Sequence, residues 1–476
     1  MTIFAIILPL ICALAMGSVK NKRSHLTGAM IAFQLITLAV TVAAVFTEDK
    51  LTLWQISEKM AVSFAADGLA KIMAPLTSLL WTLSSVFAAT YMKHENKEKS
   101  FYVFSLLSQS AMLGVIFSQN LISMYFLFEM TTICSMPLVL HNRKKESVAA
   151  ALNYLFYSVG GAFIALFGVV ILHGVSPSLD FIAGGYHMES SPAIPAGIFC
   201  IVLGFGAKAG LLPLHAWLPA AHPVAPAPAS ALLSGLITKS GVVAIIRVLF
   251  YVIDANMIRG TWVQSALIIL AVATVLMGSI LAYSEKEFKK RLAYSSVSQI
   301  SYVLCGLFVF DASALSGSVL QIIFHAVVKV GLFLCAGALI YLTGKTDVDS
   351  YVGAGKKYPI IMWCYTLLSL SLIGIPPFGG FFSKWYIAEG ALKALSAPLS
   401  YIVPAALLLS ALYTAGYLLP ISARGFFPGE DVKVKKEKEP IAFIIPLVIL
   451  AAVALLGGLF TPSAVNAISA FTSNLI

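Results

Sequence analysis

The sequence predicts an all-α polytopic membrane protein with about fourteen membrane-spanning helices. Of its 476 residues, 59% are hydrophobic and only 11% are charged, whereas soluble globular proteins carry about 25% charged residues. Apolar runs of about 18 residues or more recur along the whole chain, and runs of that length are typical of membrane-spanning helices. This composition excludes a soluble protein, because such a chain cannot cover a water-facing surface.

The apolar segments leave no room for a second domain. We number them 1 to 14 in chain order: 2–19, 27–47, 71–92, 101–118, 120–140, 148–173, 193–213, 228–253, 262–283, 294–310, 313–343, 359–394, 398–422 and 440–461. The longest polar connection, 48–70, is too short for a soluble domain. We predict a single membrane domain, 1–476, made of N-terminal helices 1–3 in 1–100, a first repeat in 101–253, a second repeat in 262–422, and a C-terminal helix and tail in 440–476.

The net charge of +10 is explained by topology. Loops after odd-numbered segments contain 21 of the 31 Lys and Arg residues, and the opposite loops contain 5. Lys289, Arg291 and Lys433 belong to the larger set. This imbalance follows the positive-inside rule and predicts cytoplasmic odd-numbered loops, with both termini on the outer side of the cell inner (plasma) membrane. The charge therefore indicates a lipid bilayer and no nucleic-acid partner.

Cofactor motifs are not evident in the sequence. The six cysteines stand singly in apolar segments without a CxxC pair, which predicts helix packing and no disulfide framework or iron–sulfur cluster. Gly-x-Gly patterns lie in apolar helices with no preceding strand, and no Walker loop occurs, so nothing indicates a nucleotide. We predict no cofactor and no metal.

Proline and glycine interrupt two of the apolar segments. Segment 7 continues into GFGAKAGLLPLHAWLPAAHPVAPAPAS (204–230), and segment 12 contains SLIGIPPFGGFFSKWYIAEG (371–390). Proline removes a backbone donor and clashes with the preceding turn, so both helices should break. Broken helices at corresponding positions of two halves indicate an ion site in an inverted-repeat transporter. Because segments 7 and 12 are five apart, we predict two inverted five-helix repeats, 4–8 and 9–13.

Titratable residues inside the predicted helices are few and unbalanced. Glu129 is the one acidic residue well inside a segment, whereas the basic residues inside segments are Lys208, Lys239, Arg247, Lys329 and Lys384. Each charge near the bilayer centre costs about 2.5–3.5 kcal/mol on insertion scales. These side chains must therefore face one another or a hydrated interior.

Two interpretations of the buried charges are open at this point. Structural ion pairs would hold the bundle together, but they predict balanced charge, and here one carboxylate faces four lysines. A proton relay suits the imbalance, because a low-dielectric interior and like-charge repulsion both favour loss of a proton from an ammonium group. We favour the relay, and we add His325, which shares a helix face with Lys329 at an i,i+4 spacing.

Other polar residues near the ends of segments have alternative interpretations. Arg247 lies near the end of segment 8, where its side chain can simply snorkel to the interface, and Glu389 is expected to be interfacial in the same way. His215 and His222 flank the proline-rich stretch. They either form loop hydrogen bonds or lie where protons enter.

Five stretches carry these residues: LFEMTTICSMPLVL, the proline-rich stretch extended to Arg247, RLAYSSVSQISYVLCG, FHAVVKVGLFLCAGALI and GIPPFGGFFSKWYI. Together they resemble the proton-conducting antiporter-like subunits of respiratory complex I, of Mrp-type multisubunit cation/proton antiporters and of membrane-bound hydrogenases. The resemblance covers roughly residues 70–420. It implies a bundle of fourteen helices, two inverted repeats and broken helices 7 and 12.

The resemblance also implies a role for each buried residue. Segment 5 of the family carries a glutamate, matched by Glu129, and segments 7 and 8 carry lysines, matched by Lys208 and Lys239. The polar linker of segment 11 and the terminal residue of segment 12 are matched by His325, Lys329 and Lys384. A lysine at the last position is more like the Mrp D-type subunit, or the lysine-bearing complex I subunits, than members that carry glutamate there.

We therefore expect a proton (cation/proton) translocating subunit, most like the D-type subunit of an Mrp antiporter. Glu129 and Lys208 are expected to form a switchable ion pair that feeds the other basic residues. The alternative is an antiporter-like subunit of a complex I-type NADH:quinone oxidoreductase or a membrane-bound hydrogenase, without a redox centre of its own. A stand-alone secondary transporter of a small solute is less favoured. Partners would be other membrane subunits, and whether Na⁺ moves together with protons stays open.

Overall fold

The computed structural model describes residues 1–47, 49–95, 97–189, 191–429 and 435–476. Eleven of the described helices are long and apolar enough to cross a membrane. Three shorter apolar helices accompany them: Thr2–Ser18, Ala193–Ala209 and Pro359–Ile373. A predominantly helical, multi-pass membrane protein is therefore confirmed.

The first half of the chain contributes nine helices to the described part. They are α1 Thr2–Ser18, α2 Arg23–Ala44, α3 Gly68–Tyr91, α4 Glu98–Phe117, α5 Leu121–Val139, α6 Lys145–Val175, α7 Ala193–Ala209, α8 Trp217–Val224 and α9 Ala227–Val252. Within α9, the stretches Leu233–Ile237 and Val248–Val252 are π-helical.

The second half contributes eight more labelled helices. They are α10 Trp262–Ser284, α11 Phe288–Val309, α12 Ala312–Thr343, α13 Pro359–Ile373, α14 Gly379–Ala394, α15 Leu399–Phe426, α16 Ile441–Leu459 and α17 Thr461–Ser473. Single helical turns occur at Met92–His94, Ala255–Met257, Val348–Tyr351 and Ala354–Lys357.

Polar caps and glycines define several helix ends. The Asp67 carboxylate accepts a hydrogen bond from the Ala70 N–H at the start of α3, and Asp311 caps α12 in the same way. Such caps satisfy backbone donors that have no partner within the helix. Gly210 ends α7 and Gly374 ends α13 with φ of 85° and 90°, a conformation that glycine adopts without a Cβ penalty.

Both predicted interruptions occur in the structure. The α7 helix stops at Ala209 and α8 begins only at Trp217, with Pro213 between them. The α13 helix stops at Ile373 and α14 begins at Gly379. These breaks leave main-chain carbonyls inside the bundle without helical hydrogen-bond partners. Each such carbonyl needs another hydrogen-bond donor.

The prediction of an all-α protein is wrong in one connection. Between α2 and α3 the chain forms two antiparallel strands, β1 Leu51–Gln55 and β2 Ala61–Phe64. The sequence LTLWQ contains Thr and Trp, which are enriched in strands. The hairpin is anchored beyond its own strands, because the Ala65 N–H donates to the Phe117 carbonyl.

Two basic residues assigned to a cytoplasmic loop are buried instead. Lys289 and Arg291 lie in the first turn of α11, which begins six residues before predicted segment 10. The Lys289 ammonium donates to the Ala225 carbonyl at 2.8 Å, and the Arg291 guanidinium donates to the Tyr417 carbonyl at 3.0 Å. Hydropathy alone missed this turn because it contains three charged residues, and the heads of two of them reach main-chain carbonyls just after α8 and within α15. Lys433 lies outside the described residues.

The C-terminal tail forms a helix that packs onto the bundle. On α17, Val465 and Ile468 join an apolar cluster with Leu320 and Phe324 of α12. A hydrogen bond of 2.7 Å links the hydroxyls of Thr472 and Ser316. The tail therefore covers one end of α12.

The close approach between α6 and α7 depends on glycines. A Cβ atom placed on Gly161 of α6 would lie 2.5 Å from the Ala207 Cβ and 2.7 Å from the Gly204 carbonyl oxygen. Small residues at membrane helix interfaces permit this backbone approach. The approach matters because α7 carries Lys208.

Replacing Gly161 with valine should destabilise the bundle, since overpacking a tight contact costs about 1–3 kcal/mol. The matched control is Gly160→Val on the same helix, where an added Cβ meets nothing within 4 Å. Thermal unfolding of the detergent-solubilised protein should show a lower midpoint for Gly161→Val alone. Equal midpoints for the two variants would contradict the described packing.

Candidate functional site

Lys208 is buried at the C-terminal end of α7 and faces α5. Its ammonium group donates to the Phe128 carbonyl at 2.7 Å and to the Thr131 hydroxyl at 2.6 Å. It also lies 3.8 Å from the centroid of the Phe128 ring, where a cation is attracted by the ring quadrupole. The charge is therefore held by neutral acceptors.

Glu129 follows Phe128 on α5, but its expected ion pair with Lys208 is not closed in this structure. Among the described residues, Glu129 has no ion-pair partner within 4.0 Å. Its Oε1 atom is buried without a described hydrogen-bond partner. The Lys208 ammonium is bound instead to the Phe128 carbonyl and the Thr131 hydroxyl.

Lys239 and His325 form the one direct contact among the predicted relay residues that the described hydrogen bonds record. The Lys239 ammonium donates to Nδ1 of His325 at 2.7 Å and to the Ser234 carbonyl at 2.7 Å. Ser234 lies in the first π-helical stretch of α9, where the regular i to i−4 bonding is interrupted. Since Lys239 donates to Nδ1, a neutral His325 ring carries its hydrogen on Nε2.

Lys329 lies one turn beyond His325 on α12 and faces α11. Its ammonium group donates to the Leu292 carbonyl at 3.0 Å and to the Ser295 hydroxyl. Both acceptors belong to α11. The two members of the predicted i,i+4 pair on α12 therefore contact different helices. His325 contacts Lys239 of α9, and Lys329 contacts α11.

Lys384 lies on α14 and binds the open end of α13. Its ammonium donates to the Leu372 carbonyl at 2.6 Å and to the Ile373 carbonyl at 2.7 Å. These are the last carbonyls of the broken helix, where the helix dipole favours a cation. The ammonium also lies 5.1 Å from the centroid of the Tyr302 ring.

We call these five residues the basic row: Lys208, Lys239, His325, Lys329 and Lys384. Close helix packing keeps its members on adjacent helices. A Cβ on Gly241 of α9 would lie 2.5 Å from the Phe205 carbonyl of α7, and a Cβ on Gly317 of α12 would lie 2.8 Å from the Ser383 carbonyl of α14. The row therefore passes from α7 through α9 and α12 to α14.

Arg247 does not snorkel. It is fully buried, and its guanidinium binds the Asp67 carboxylate through both terminal nitrogens. One of these nitrogens also donates to the Ile116 carbonyl at 3.1 Å. The sequence analysis missed Asp67 as a partner because it precedes α3 and lies 180 positions from Arg247. This pair, in which Arg247 is fully buried and Asp67 is half-buried, ties α3, α4 and α9 together.

The remaining polar candidates have simpler surroundings. The His222 ring is buried and stacks on Phe333 with centroids 4.6 Å apart, and neither ring nitrogen has a described hydrogen-bond partner. His215 is half-buried. Glu389 pairs with Lys393 at 2.5 Å on the partly exposed face of α14.

Cysteines and carboxylates form no further site in the described part of the chain. All six cysteines are free. No group of three or more His, Cys, Asp or Glu side chains suitable for a metal occurs among the described residues.

Sequence reasoning missed the acceptors that hold the basic row. Thr131 and Ser295 contact the ammonium groups of Lys208 and Lys329. A sequence signal for Ser295 exists, because the buried helix α11 contains the polar run SSVSQIS, and polar residues inside membrane helices usually face other helices. The carbonyl acceptors have no sequence signal, since every residue carries one.

Comparison with known proteins shows what this arrangement is similar to. The sequence family described as "NADH:quinone oxidoreductase/Mrp antiporter, TM" matches residues 118–410. The chain is 30% identical to NADH-quinone oxidoreductase subunit N of Desulforudis audaxviator, over 98% of this chain and 96% of that protein. It is 29% identical to the D-type subunit of the Na(+)/H(+) antiporter of Alkalihalophilus pseudofirmus, over 85% of this chain and 81% of that protein.

The fold is similar to that of a chain in the solved structure of the Mrp complex from Dietzia sp. The two superpose with a TM-score of 0.84 at 22% identity, covering 100% of this chain and 97% of the other. At that level of identity the likeness shows the fold alone.

Removing the carboxylate that binds Arg247 should cost far more stability than removing one from an exposed pair. Asp67→Asn keeps the α3 cap but leaves a buried guanidinium without its counter-charge, and breaking a buried pair costs about 3–5 kcal/mol. The control is Asp349→Asn, which breaks the exposed pair with Arg424 and should cost less than about 1 kcal/mol. Denaturation midpoints in detergent test this, and equal shifts would contradict it.

Proposed function

The chain belongs to the NADH:quinone oxidoreductase/Mrp antiporter transmembrane family, and we propose that it is a proton-translocating subunit of a multisubunit membrane complex that uses the basic row as its path. The observation that carries the proposal is the 2.7 Å contact between Lys239 and Nδ1 of His325. It joins two titratable groups on different helices in a bundle interior, where charge is costly.

The acceptors of the basic row suit a group that alternates between two protonation states. A lysine bound to a carboxylate holds its proton tightly, because losing it would leave a buried, unpaired anion. A main-chain carbonyl is neutral and accepts a hydrogen bond from either an ammonium or an amine. Lys208, Lys239, Lys329 and Lys384 each bind such a carbonyl.

Glu129 and Lys208 act as the switch at the start of the path. In the open arrangement described above, Lys208 is bound to the Phe128 carbonyl and Thr131. Rotation of the Glu129 side chain toward Lys208 closes the pair and holds the proton there. A charge or conformational change in a neighbouring subunit selects between the two arrangements.

Protons then pass in one direction along the row. Lys208 releases its proton toward Lys239, and Lys239 passes one to His325. From His325 and Lys329 the proton reaches Lys384 and the outer side. Moving one elementary charge through 100 mV corresponds to about 2.3 kcal/mol. Breaking a buried ion pair costs about 3–5 kcal/mol, so the closed pair is strong enough to gate the path.

The same proposal includes the topology. Eleven long helices and the three shorter apolar helices would give fourteen crossings, in which α7 with α8, and α13 with α14, are the broken helices 7 and 12. The two broken helices then occupy corresponding positions in two inverted five-helix repeats. The excess of basic residues in one set of loops supports a location of both termini on the outer side of the cell inner (plasma) membrane.

The parent complex is proposed to be of the Mrp type, with this chain as its D-type subunit. The 29% identity to the D-type subunit of a Na(+)/H(+) antiporter supports this choice. The second candidate is a complex I-type NADH:quinone oxidoreductase or a membrane-bound hydrogenase. It is favoured by the 30% identity to an NADH-quinone oxidoreductase subunit N. In either assembly the partners are other membrane subunits and the transported ions are protons, with Na⁺ exchanged in the Mrp case.

Replacing Lys239 with arginine should strongly lower proton transport while keeping the positive charge. The guanidinium remains protonated at any cellular pH, so it cannot pass a proton to His325. We expect proton uptake by inverted vesicles to fall by about a hundredfold.

Lys71→Arg on the exposed face of α3 is the matched control and should transport normally. A pH-sensitive dye follows the gradient, and immunoblotting verifies equal amounts of assembled complex. Wild-type transport by a fully assembled Lys239→Arg complex would contradict the relay.

Extraction in mild detergent should identify the parent complex. We expect the chain to co-purify with other membrane subunits alone, as an Mrp-type assembly predicts. Mass spectrometry of the purified complex gives the composition. Iron–sulfur or hydrogenase subunits in stoichiometric amount would replace the Mrp assignment with the second candidate.

A further inference from the structure

A cavity of about 650 Å³ lies where the turn between α1 and α2 meets the first turn of α4. We call it the α1–α4 cavity. Its charged wall consists of three basic and two acidic residues: Arg23, Lys97, Lys99, Glu95 and Glu98. The α1–α2 and α3–α4 connections both follow odd-numbered segments, so the charge imbalance of the loops predicts that this cavity opens at the cytoplasmic surface of the membrane. None of its lining residues belongs to the basic row.

The basic groups of the α1–α4 cavity keep hydrogen-bond donors free. Lys97 is exposed and, among the described residues, has no carboxylate within 4.0 Å. The Lys99 ammonium donates to the neutral Val19 carbonyl at 2.9 Å, and the Arg23 guanidinium donates to the Ala89 carbonyl at 3.1 Å. An ammonium has three N–H groups and a guanidinium has five. Donors therefore remain on all three side chains.

The first turn of α4 adds main-chain donors to the same wall. Residues 97–100 all line the cavity, and no side chain caps this helix start. The first N–H groups of a helix have no acceptor within the helix, and the helix dipole favours an anion there. The basic side chains and the start of α4 therefore favour the same kind of ligand, one that carries negative charge.

The two carboxylates of the wall are engaged by other groups. Glu98 accepts from the Tyr102 hydroxyl at 2.8 Å and lies 3.7 Å from the Arg23 guanidinium. Glu95 also lines a neighbouring cavity together with Lys144. Partial burial raises the pKa of the Glu95 carboxyl, which favours its neutral form. The basic groups therefore dominate the charge that a ligand meets in the α1–α4 cavity.

An apolar surface continues from the α1–α4 cavity toward the middle of the membrane. The apolar part of the wall comes from α1, α2 and α4 and consists of Gly17, Leu26, Val103 and Phe104. Leu14 and Leu10 precede Gly17 by three and seven residues and so lie on the same face of α1. They are 71% and 40% exposed. A ligand that covers both surfaces has a charged end and an apolar chain.

We propose that the α1–α4 cavity binds the phosphate group of an anionic phospholipid, with an acyl chain along the exposed face of α1. Lys97, Lys99 and Arg23 donate to the phosphate, and the start of α4 faces it. Basic pockets between membrane helices on the cytoplasmic side bind anionic lipid headgroups. A free phosphate ion would leave the apolar wall uncovered, which favours a lipid. The inference goes beyond the proposed function, because it uses the predicted topology and not the proton path.

Native mass spectrometry of the assembled complex, stripped of lipid and titrated with phosphatidylglycerol, tests the site. Lys97→Gln should weaken one binding event by about tenfold, the effect of one lost charge-assisted hydrogen bond. Lys22→Gln is the matched control, because Lys22 is an exposed lysine of the α1–α2 turn that does not line the cavity. It should leave binding within about twofold of the unmodified complex. Equal weakening by the two variants would indicate general surface charge and overturn the site.

A second pair of variants tests the cavity itself. An added Cβ on Gly17 or on Gly28 meets nothing within 4 Å, so both positions have room for a larger side chain, but only Gly17 lines the cavity. Gly17→Phe fills the cavity and should lower the number of bound phosphatidylglycerol molecules by one per copy of this chain. Gly28→Phe should keep that molecule. Its retention by the Gly17→Phe complex would overturn the proposal.

Other occupants of the α1–α4 cavity give different results. Phosphatidylcholine carries the same phosphate without net negative charge and should bind more weakly, and equal binding would overturn the role of the basic wall. Inorganic phosphate in excess should leave phosphatidylglycerol bound, and displacement would replace the lipid with a free anion. An electron cryomicroscopy map that shows an acidic segment of another subunit in the cavity would also overturn the lipid. All of these measurements record binding, so their outcome is separate from that of Lys239→Arg.

Discussion

The contact of buried ammonium groups with main-chain carbonyl oxygens is the interaction on which the described site depends. Each lysine of the basic row binds at least one carbonyl, and none has a described carboxylate within 4.0 Å. A charge in the bundle interior is tolerated when polar groups surround it, as these carbonyls do here. Because the acceptors are neutral, the bundle keeps its hydrogen bonds whether or not a given lysine carries a proton.

Irregular helices supply the carbonyls that bind two of these lysines, Lys239 and Lys384. The end of α13 exposes the Leu372 and Ile373 carbonyls to Lys384, and the π-helical stretch of α9 lets the Ser234 carbonyl reach Lys239. A regular helix uses nearly all its carbonyls internally. The break in α13 and the π-helical stretch of α9 thus provide main-chain acceptors for buried ammonium groups. The Asp67–Arg247 pair differs, because there the acceptor is a carboxylate and the ion pair holds helices together.

Several features could be predicted from single residues. Pro213 and the Pro376–Pro377 pair predicted the two breaks, since proline cannot complete a helical turn. Glu129 and the lysines were found because charges inside apolar segments are rare. Predictions about which residues a buried side chain contacts were less successful. Arg247 was expected at the interface and is buried against Asp67, and Lys289 was expected in a loop and binds the Ala225 carbonyl. No local pattern encodes a contact between residues so distant in the chain.

The sequence by itself determined that the chain crosses a membrane many times and which side chains are charged inside it, because hydropathy and the cost of burying charge are properties of each segment. Only the tertiary structure decided what those charges touch. It left the Glu129–Lys208 pair open and joined Lys239 to His325. These outcomes depend on helix packing and on backbone carbonyls, which every residue carries and no sequence pattern distinguishes.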